Sequence, residues 1–163
     1  MALKRICGLV SSVLSDVMSV VSPRLCPSCG CALTEKEECL CHGCQAQLAS
    51  SGGFASLPGN PMEQRVLELT GMEIPCAALA PYVHEGVSGK VVAAFKYRGE
   101  KSLAVHMGRM LGISVSGSGR FSGYGVYVPV PLHPQRFRAR GYNQAAELCR
   151  GMAEAAGGDV CHM

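Results

Sequence analysis

Six cysteines within residues 26–44 constrain this chain more than any other feature of its sequence. Four of them form two Cys-x-x-Cys pairs, Cys26–Cys29 and Cys41–Cys44, separated by eleven residues. Two intervening residues let a tight turn aim both thiolates at one ion, and two such turns supply the four soft ligands of a closed tetrahedral zinc site. The spacing therefore predicts a structural zinc ion bound by Cys26, Cys29, Cys41 and Cys44.

The other cysteines leave alternatives to this assignment. Cys31 and Cys39 make the cluster nearly palindromic, so they either take part in a second ligand register or are spare thiols. His42 is a further ligand candidate, although a solvent-facing side chain is the commoner outcome. A disulfide framework is the rival interpretation. Four scattered cysteines argue against it and predict a reducing, cytoplasmic location: Cys7, Cys76, Cys149 and Cys161.

Residues 1–22 combine two positive charges with an apolar stretch, as a secretory signal does. On a helical wheel, however, eight apolar residues fall within one arc, opposite Lys4, Arg5, Asp16 and the serines. The eight are Leu3, Ile6, Val10, Val13, Leu14, Val17, Val20 and Val21. This segregation predicts an amphipathic helix that packs on its own protein, with a membrane-surface helix as the alternative. The sequence has no run of eighteen uncharged apolar residues, so we expect no transmembrane segment.

The net charge of +3 conceals an uneven distribution. Residues 1–89 carry five basic and eight acidic side chains, whereas residues 90–150 carry ten basic and two acidic ones. An anionic partner would therefore meet the region from Lys90 to Arg150.

Local patterns predict the elements between these regions. Met62–Thr70 reads as a short helix ending at a glycine, and Ala77–Tyr82 as a strand. Apolar residues at helical spacing predict helices over Val87–Lys96 and around Leu103–Leu111. A Gly/Ser-rich stretch predicts a loop over Ser114–Gly125.

The most distinctive stretch begins at Val126. An apolar run predicts a strand, which leads into a loop with three arginines, Arg136, Arg138 and Arg140. Asn143 is then placed to cap a helix from Gln144 to about Ala156. A strand, a basic loop and a helix N-terminus form an arrangement that binds phosphate, because N–H groups and guanidinium groups converge there. A solvated arginine-rich face and a nucleic-acid groove remain as alternatives.

Together these motifs resemble those of the ComF family, with its ComFC- and GntX-like members. The cysteine pairs precede Phe-Lys-Tyr-Arg-Gly-Glu at 95–100, Val-Pro-Val-Pro-Leu-His at 128–133 and Arg-Gly-Tyr-Asn-Gln at 140–144. The resemblance extends from the first helix to the end of the chain. It implies an α/β fold, in which a small zinc ribbon is joined to a type I phosphoribosyltransferase-like (Rossmann-like) domain, and it implies a link to DNA uptake (competence).

The resemblance also implies a ligand and the residues that bind it. Phosphoribosyl pyrophosphate (PRPP), accompanied by magnesium, would place its diphosphate against the arginine-rich loop. Asn143 and Gln144 would shape the turn that follows. The implied diphosphate contacts are Arg136, Arg138, Arg140 and Gly141.

One part of the family pattern is missing from this sequence. Family members carry a strand ending in two Asp, followed by a Thr-Thr-Gly loop that cradles the 5′-phosphate. Here the only aspartates are Asp16 and Asp159, and the only threonines are Thr34 and Thr70. We therefore expect a C-terminally truncated family member with a partial sheet, which is inactive as a transferase on its own.

These inferences predict four regions and a function. The regions are an amphipathic helix (1–22), a zinc ribbon (23–50), a linker with a short helix (51–75) and the N-terminal part of a phosphoribosyltransferase-like domain (76–163). The expected function is PRPP binding in DNA uptake or use. The alternative is a non-enzymatic accessory protein that binds single-stranded DNA or proteins of the competence machinery. A zinc-stabilised interaction module with merely solvated arginines is a third possibility.

Overall fold

The structure, a computed structural model, describes residues 23–161. The predicted helix over residues 1–22 lies outside this range. The described residues form helices and two short strands, in the order α1 (His42–Ser50), α2 (Pro61–Thr70), α3 (Val87–Tyr97), α4 (Lys101–Ser118), β1 (Val126–Tyr127), α5 (Pro134–Arg140), α6 (Gln144–Ala156) and β2 (Asp159–Val160).

The two strands form a small parallel sheet, in which Val126 pairs with Asp159 and Tyr127 with Val160. Parallel strands need a crossover connection, and here α5 and α6 provide it. The fold is thus mainly helical, with one parallel β-α-β unit. In residues 23–161 no helix combines the length and the apolar character needed to cross a membrane.

Helices α4 and α6 cross so closely that only glycine fits at the contact. A Cβ atom on Gly108 would lie 2.1 Å from the Leu148 carbonyl oxygen, and one on Gly151 would lie 2.0 Å from the Val105 carbonyl oxygen. Both distances are far inside van der Waals contact. The crossing therefore fixes α6, and with it the segment that leads into α6, against α4.

The cysteine-rich segment does not have a hydrophobic core of its own. Its buried residues belong to the same hydrophobic core as α3 and α4, and Leu40 and Leu103 are the largest apolar side chains that this core buries completely. The Arg98 guanidinium also donates to the Pro27 carbonyl oxygen at 2.8 Å, which ties the end of α3 to the first cysteine turn. The shared core consists of Cys26, Leu40, Cys41, Cys44, Leu48, Val91, Ala94, Phe95, Leu103, Ala104 and Met107.

Local signals placed several helices well. Helix α2 ends at Gly71, which adopts φ 69°, and Asn60 caps its start by accepting from the N–H groups of Met62 and Glu63. Helix α6 spans the predicted range, and the Asn143 side chain accepts from the Ala145 N–H at 3.0 Å. Capping side chains and a left-handed glycine act within one turn of chain, so the sequence alone reveals them.

Of two other predictions, one was wrong in part and the other was wrong. Helix α4 includes the first five residues of the predicted loop Ser114–Gly125, because Val115 is buried and the Ser118 hydroxyl bonds back to the Val115 carbonyl oxygen at 2.7 Å. Residues 119–125 form the loop that the pattern predicts. The supposed strand Ala77–Tyr82 makes only an isolated bridge, between Ala78 and Phe54. No further strand adjoins that bridge in residues 23–161, so the segment has no sheet to join.

Candidate metal centre and basic cavity

Four cysteine sulfurs converge in the cysteine-rich segment. Those of Cys26, Cys29, Cys31 and Cys41 all lie within 4.8 Å of one another. The Cys29 sulfur is 3.3 Å from that of Cys31 and 3.6 Å from that of Cys41. Since a tetrahedral zinc ion with Zn–S bonds of about 2.3 Å separates its sulfurs by about 3.8 Å, this group fits such an ion after small side-chain adjustments.

Three of the four predicted ligands are thus in the closest group, together with Cys31. The fourth, Cys44, is buried beside it, and its backbone N–H donates to the Cys41 sulfur at 3.5 Å. The Cys44 thiol also lies within hydrogen-bonding reach of those of Cys41, Cys29 and Cys26, so it is a fifth thiol beside the four, one more than a tetrahedral ion uses. Cys39 lies outside this group, in a groove with Arg24 and Arg109. The His42 side chain is exposed, as expected.

Backbone hydrogen bonds shape the first cysteine turn. The Cys26 N–H donates to the Cys31 carbonyl oxygen at 2.8 Å, and the Gly30 N–H donates to the Cys26 carbonyl oxygen at 2.9 Å. Gly30 adopts φ 77°, a conformation that favours glycine. The second pair lies at the start of α1, where Cys41 is the N-cap residue. The turn and the helix N-terminus together point sulfurs from distant parts of the segment at one place.

The environment of the sulfurs favours negative charge on one side of the cluster. A hydrogen bond from the Cys31 backbone N–H, followed by bonds with neighbouring thiols, lowers the pKa of Cys29 to about 6. The sulfur–sulfur hydrogen bond with Cys29 raises the pKa of Cys31 to about 12, and burial raises that of Cys44 to about 12. Burial also opposes ionisation of Cys26, but hydrogen bonds from the backbone N–H groups of Cys41, Cys29 and Ser28 outweigh it and lower its pKa. Thiolate character is what a soft metal ion requires of its ligands.

Glu37 is a structural residue that sequence reasoning missed. Its carboxylate is buried and accepts from the N–H of Thr34 at 2.8 Å and from the N–H of His42 at 2.7 Å. These bonds, the one from Thr34 first, lower the pKa of Glu37. The carboxylate thus joins the connecting loop to the N-terminus of α1, which positions Cys41. Within four consecutive charged residues, nothing in the sequence distinguishes Glu37 from its exposed neighbours.

The segment predicted as a basic loop is instead the short helix α5. Pro134 lies in its first turn, the His133 ring nitrogen accepts from the Gln135 N–H at 3.3 Å, and Gly141 ends the helix with φ 76°. At about 100° per residue, Arg136 and Arg140 lie about 40° apart around the helix, while Arg138 lies about 160° from both. Helix formation therefore divides the three arginines between two faces.

Arg140 is the arginine closest to the start of α6. Its guanidinium donates to the Gln144 side-chain oxygen at 2.9 Å and lies 5.4 Å from the centre of the Tyr97 ring. Arg136 and Arg138 are exposed. Among residues 23–161, no carboxylate forms an ion pair with any of these three arginines, so their charges are available to a ligand.

A cavity of about 520 Å³ lies where the two parallel strands end. Pro129 and Pro131 follow β1 into its wall, Cys161 follows β2, and Gly141 and Asn143 contribute the turn that precedes α6. The Asn143 amide also donates to the Val130 carbonyl oxygen at 3.0 Å, which fixes this turn against the end of β1. Of the implied diphosphate contacts, only Gly141 lines the cavity; the three arginines do not.

One acidic side chain, Glu147, also lines the cavity, and its carboxylate pairs with Arg150 at 2.7 Å.

No protein-family model, curated protein or solved structure matches this chain.

Proposed function

We propose that this chain is a ComF-like protein, in which a zinc ribbon supports a phosphoribosyltransferase-type domain that binds PRPP. The observation that carries the proposal is the position of the cavity. In open α/β sheets, ligands bind beyond the carboxyl ends of the parallel strands, next to helix N-termini. Here the cavity occupies that place, and its volume of about 520 Å³ is suitable for a small phosphorylated ligand.

The β-α-β unit supports the finer fold assignment. In a Rossmann-like domain, β1 would be the first core strand, α6 its crossover helix and β2 the start of the next strand. The α6 N-terminus, at Gln144, would contribute positive potential to a diphosphate. Arg140 does not line the cavity, but Gln144 holds its guanidinium beside this N-terminus. A rotation of the side chain would bring it to the diphosphate as a charge-assisted contact.

Glu147 places a negative charge in the wall of the cavity, where a bare diphosphate would be repelled. Arg150 already pairs with this carboxylate, and a second cation between Glu147 and the ligand would further reduce the repulsion. The magnesium ion that accompanies PRPP is a cation of this kind, and carboxylate oxygen is a ligand that it prefers. The proposal thus assigns Glu147 to the magnesium side of the ligand.

Calorimetry with magnesium–PRPP and magnesium–pyrophosphate tests the proposal. Arg140→Ala should weaken binding about tenfold to a hundredfold, because a hydrogen bond to a charged group contributes about 1.5–3 kcal/mol. Arg138→Ala is the matched control, since it removes the same charge from the opposite face of α5. It should change the affinity less than roughly threefold, because the effect of one surface charge is screened by salt. Equal effects of the two substitutions, or no binding by the unaltered chain, would refute the site.

A second function, binding of single-stranded DNA, is favoured by a different observation. The Tyr97 ring is 75% exposed and has the Arg140 guanidinium over it, with Lys96, Arg98 and Lys101 nearby in the chain. An exposed aromatic ring among cations is a stacking platform for bases. Such a surface would serve the alternative role of a DNA-binding accessory protein.

Filter binding at increasing salt concentrations tests this second function. Affinity should fall steeply with salt, because phosphate contacts release counterions. Tyr97→Ala should weaken binding by about 1–3 kcal/mol, the usual contribution of a stacked base. Tyr124→Ala removes a comparably exposed ring far along the chain, at 64% exposure, and should leave binding unchanged. Salt-insensitive binding would exclude the idea.

A further inference from the structure

The cysteine cluster contains one thiol more than a tetrahedral metal ion needs, and two of its thiols, those of Cys29 and Cys31, are exposed. We propose that Cys29 and Cys31 are a redox pair, which forms a disulfide on oxidation by a hydroperoxide and thereby releases the metal ion. This inference rests on the zinc ribbon of the proposed function and adds a modification site to it.

Exposure distinguishes this pair from the rest of the cluster. Cys29 and Cys31 are exposed, whereas Cys26, Cys41 and Cys44 are buried, at 2%, 9% and 6% exposure. An oxidant arriving from solvent therefore meets Cys29 and Cys31 first. The exposed pair is the point of attack in either ligand register, whether the fourth ligand is Cys31 or Cys44.

The geometry between the two residues suits a disulfide. Their sulfurs are 3.3 Å apart, so a closure of about 1.3 Å reaches the S–S bond length of about 2.05 Å. Only Gly30 separates them, and a Cβ atom placed on Gly30 would meet nothing within 4 Å outside its chain neighbours. A single flexible residue can absorb the rotation that bond formation requires. The other close pair, Cys29 and Cys41, is 3.6 Å apart but has one buried member.

The chemistry requires one peroxide per pair. The Cys29 sulfur attacks a peroxide oxygen, the O–O bond breaks, and the departing hydroxide takes up a proton, which leaves a sulfenic acid on Cys29. The Cys31 sulfur then attacks the Cys29 sulfur, the S–O bond breaks, and the second oxygen leaves as water with the Cys31 thiol proton. Two thiol groups are oxidised to one disulfide, and hydrogen peroxide is reduced to two molecules of water.

Metal release follows from ligand loss. Cys29 belongs to both possible ligand sets, so formation of its disulfide with Cys31 removes a thiolate from either one. A structural zinc site needs four ligands, and three buried cysteines cannot complete it. The buried sulfurs also belong to the core shared with α3 and α4, so release of the ion loosens a part of the fold that the whole protein uses.

The experiment uses the full chain loaded with zinc and treated anaerobically with hydrogen peroxide at one to ten equivalents. Zinc content is measured before oxidation, released zinc is followed with a chromogenic chelator, and disulfides are mapped by differential alkylation and mass spectrometry. We expect about one zinc released per chain, in step with one Cys29–Cys31 disulfide. A disulfide between any other cysteines, or zinc release without a disulfide, would overturn the inference.

Two variants complete the test. Cys31→Ser should slow peroxide-dependent zinc release at least tenfold, whereas Cys39→Ser, which alters a thiol outside the cluster, should release zinc like the unaltered chain. Equal release from Cys31→Ser and the unaltered chain would count against the pair. Absence of zinc before oxidation would refute the ribbon itself; disulfide mapping on that metal-free chain would still decide whether Cys29 and Cys31 form the pair. Loss of zinc from Cys31→Ser before oxidation would identify Cys31 as a zinc ligand. Disulfide mapping in the unaltered chain would then decide whether Cys29 and Cys31 form the pair.

Discussion

The cysteine cluster and the arginine segment both concentrate one residue type, yet only the cysteines converge. Four sulfurs lie within 4.8 Å of one another, while the three arginines divide between two faces of α5 and stay outside the neighbouring cavity. A cysteine sulfur is one bond from Cβ, so the turn fixes its position. An arginine head is separated from its backbone by a long flexible chain, and its position depends on which element the backbone forms. Spacing is therefore a stronger guide to a thiolate site than to a guanidinium site.

The largest effect should come from breaking the locally built site. Cys26→Ser removes a ligand that is 2% exposed and belongs to every possible set. We expect loss of bound zinc and unfolding of residues 23–50, because metal binding contributes on the order of 10 kcal/mol to small zinc domains. Metal analysis and hydrogen exchange would measure both. Cys39→Ser is the control and should keep its zinc. Retention of zinc by Cys26→Ser would contradict the conclusion that the cysteines, unlike the arginines, form one binding site.

The next largest effect should come from a substitution that disrupts the crossing of α4 and α6 and leaves the cysteine cluster intact. Gly151→Val places side-chain atoms where even a Cβ lies 2.0 Å from the Val105 carbonyl oxygen. We expect a loss of about 3 kcal/mol in the free energy of unfolding, since overpacking of a close contact costs this much. Pyrophosphate binding should be lost because α6 shifts, while the zinc content should stay at one ion per chain.

The matched change for that experiment is Gly117→Ala, in the exposed part of α4. No atom lies within 4 Å of its Cβ position, so the substitution should stabilise the protein by up to about 1 kcal/mol through helix propensity. Denaturant unfolding would measure both variants. An unaffected Gly151→Val would mean that α4 and α6 do not meet as described, and a destabilised Gly117→Ala would contradict the open surroundings of Gly117.

The smallest effect concerns a half-buried ion pair that holds α2 to the turn after α4. Glu63 accepts from the Cys76 N–H and from the Arg120 guanidinium, at 2.9 and 2.6 Å, and these bonds lower its pKa from 4.5 to about 2. A depressed pKa means that the stabilisation is complete above pH 4.5 and is lost as the pH falls towards 2.

Glu63→Gln should therefore lower the melting temperature at neutral pH and flatten its decline between pH 4.5 and 2. Thermal unfolding followed by circular dichroism across this range would show it. Glu68→Gln, which removes an exposed carboxylate of the same helix, should retain the slope of the unaltered protein. Parallel curves for Glu63→Gln and the unaltered protein would contradict the assignment.

Residues that act within one turn of chain were predictable, and residues that act across the fold were not. Gly71 and Asn143 reveal helix ends through their own chemistry, and both were read from the sequence. The Gly/Ser-rich end of α4 reads as a loop, because the packing that keeps it helical comes from elsewhere in the fold. Glu37 is hidden for a similar reason: its importance lies in burial and in its partners.

The sequence by itself determined the cysteine spacing, the uneven charge and the helix caps, because each depends on neighbours along the chain. Only the tertiary structure decided that a fifth thiol joins the cluster, that the cysteine-rich segment shares its core with α3 and α4, and that the arginines lie on two faces. These features depend on contacts between residues far apart in sequence, such as the glycine crossing of α4 and α6, which fixes the distances between groups that spacing cannot specify.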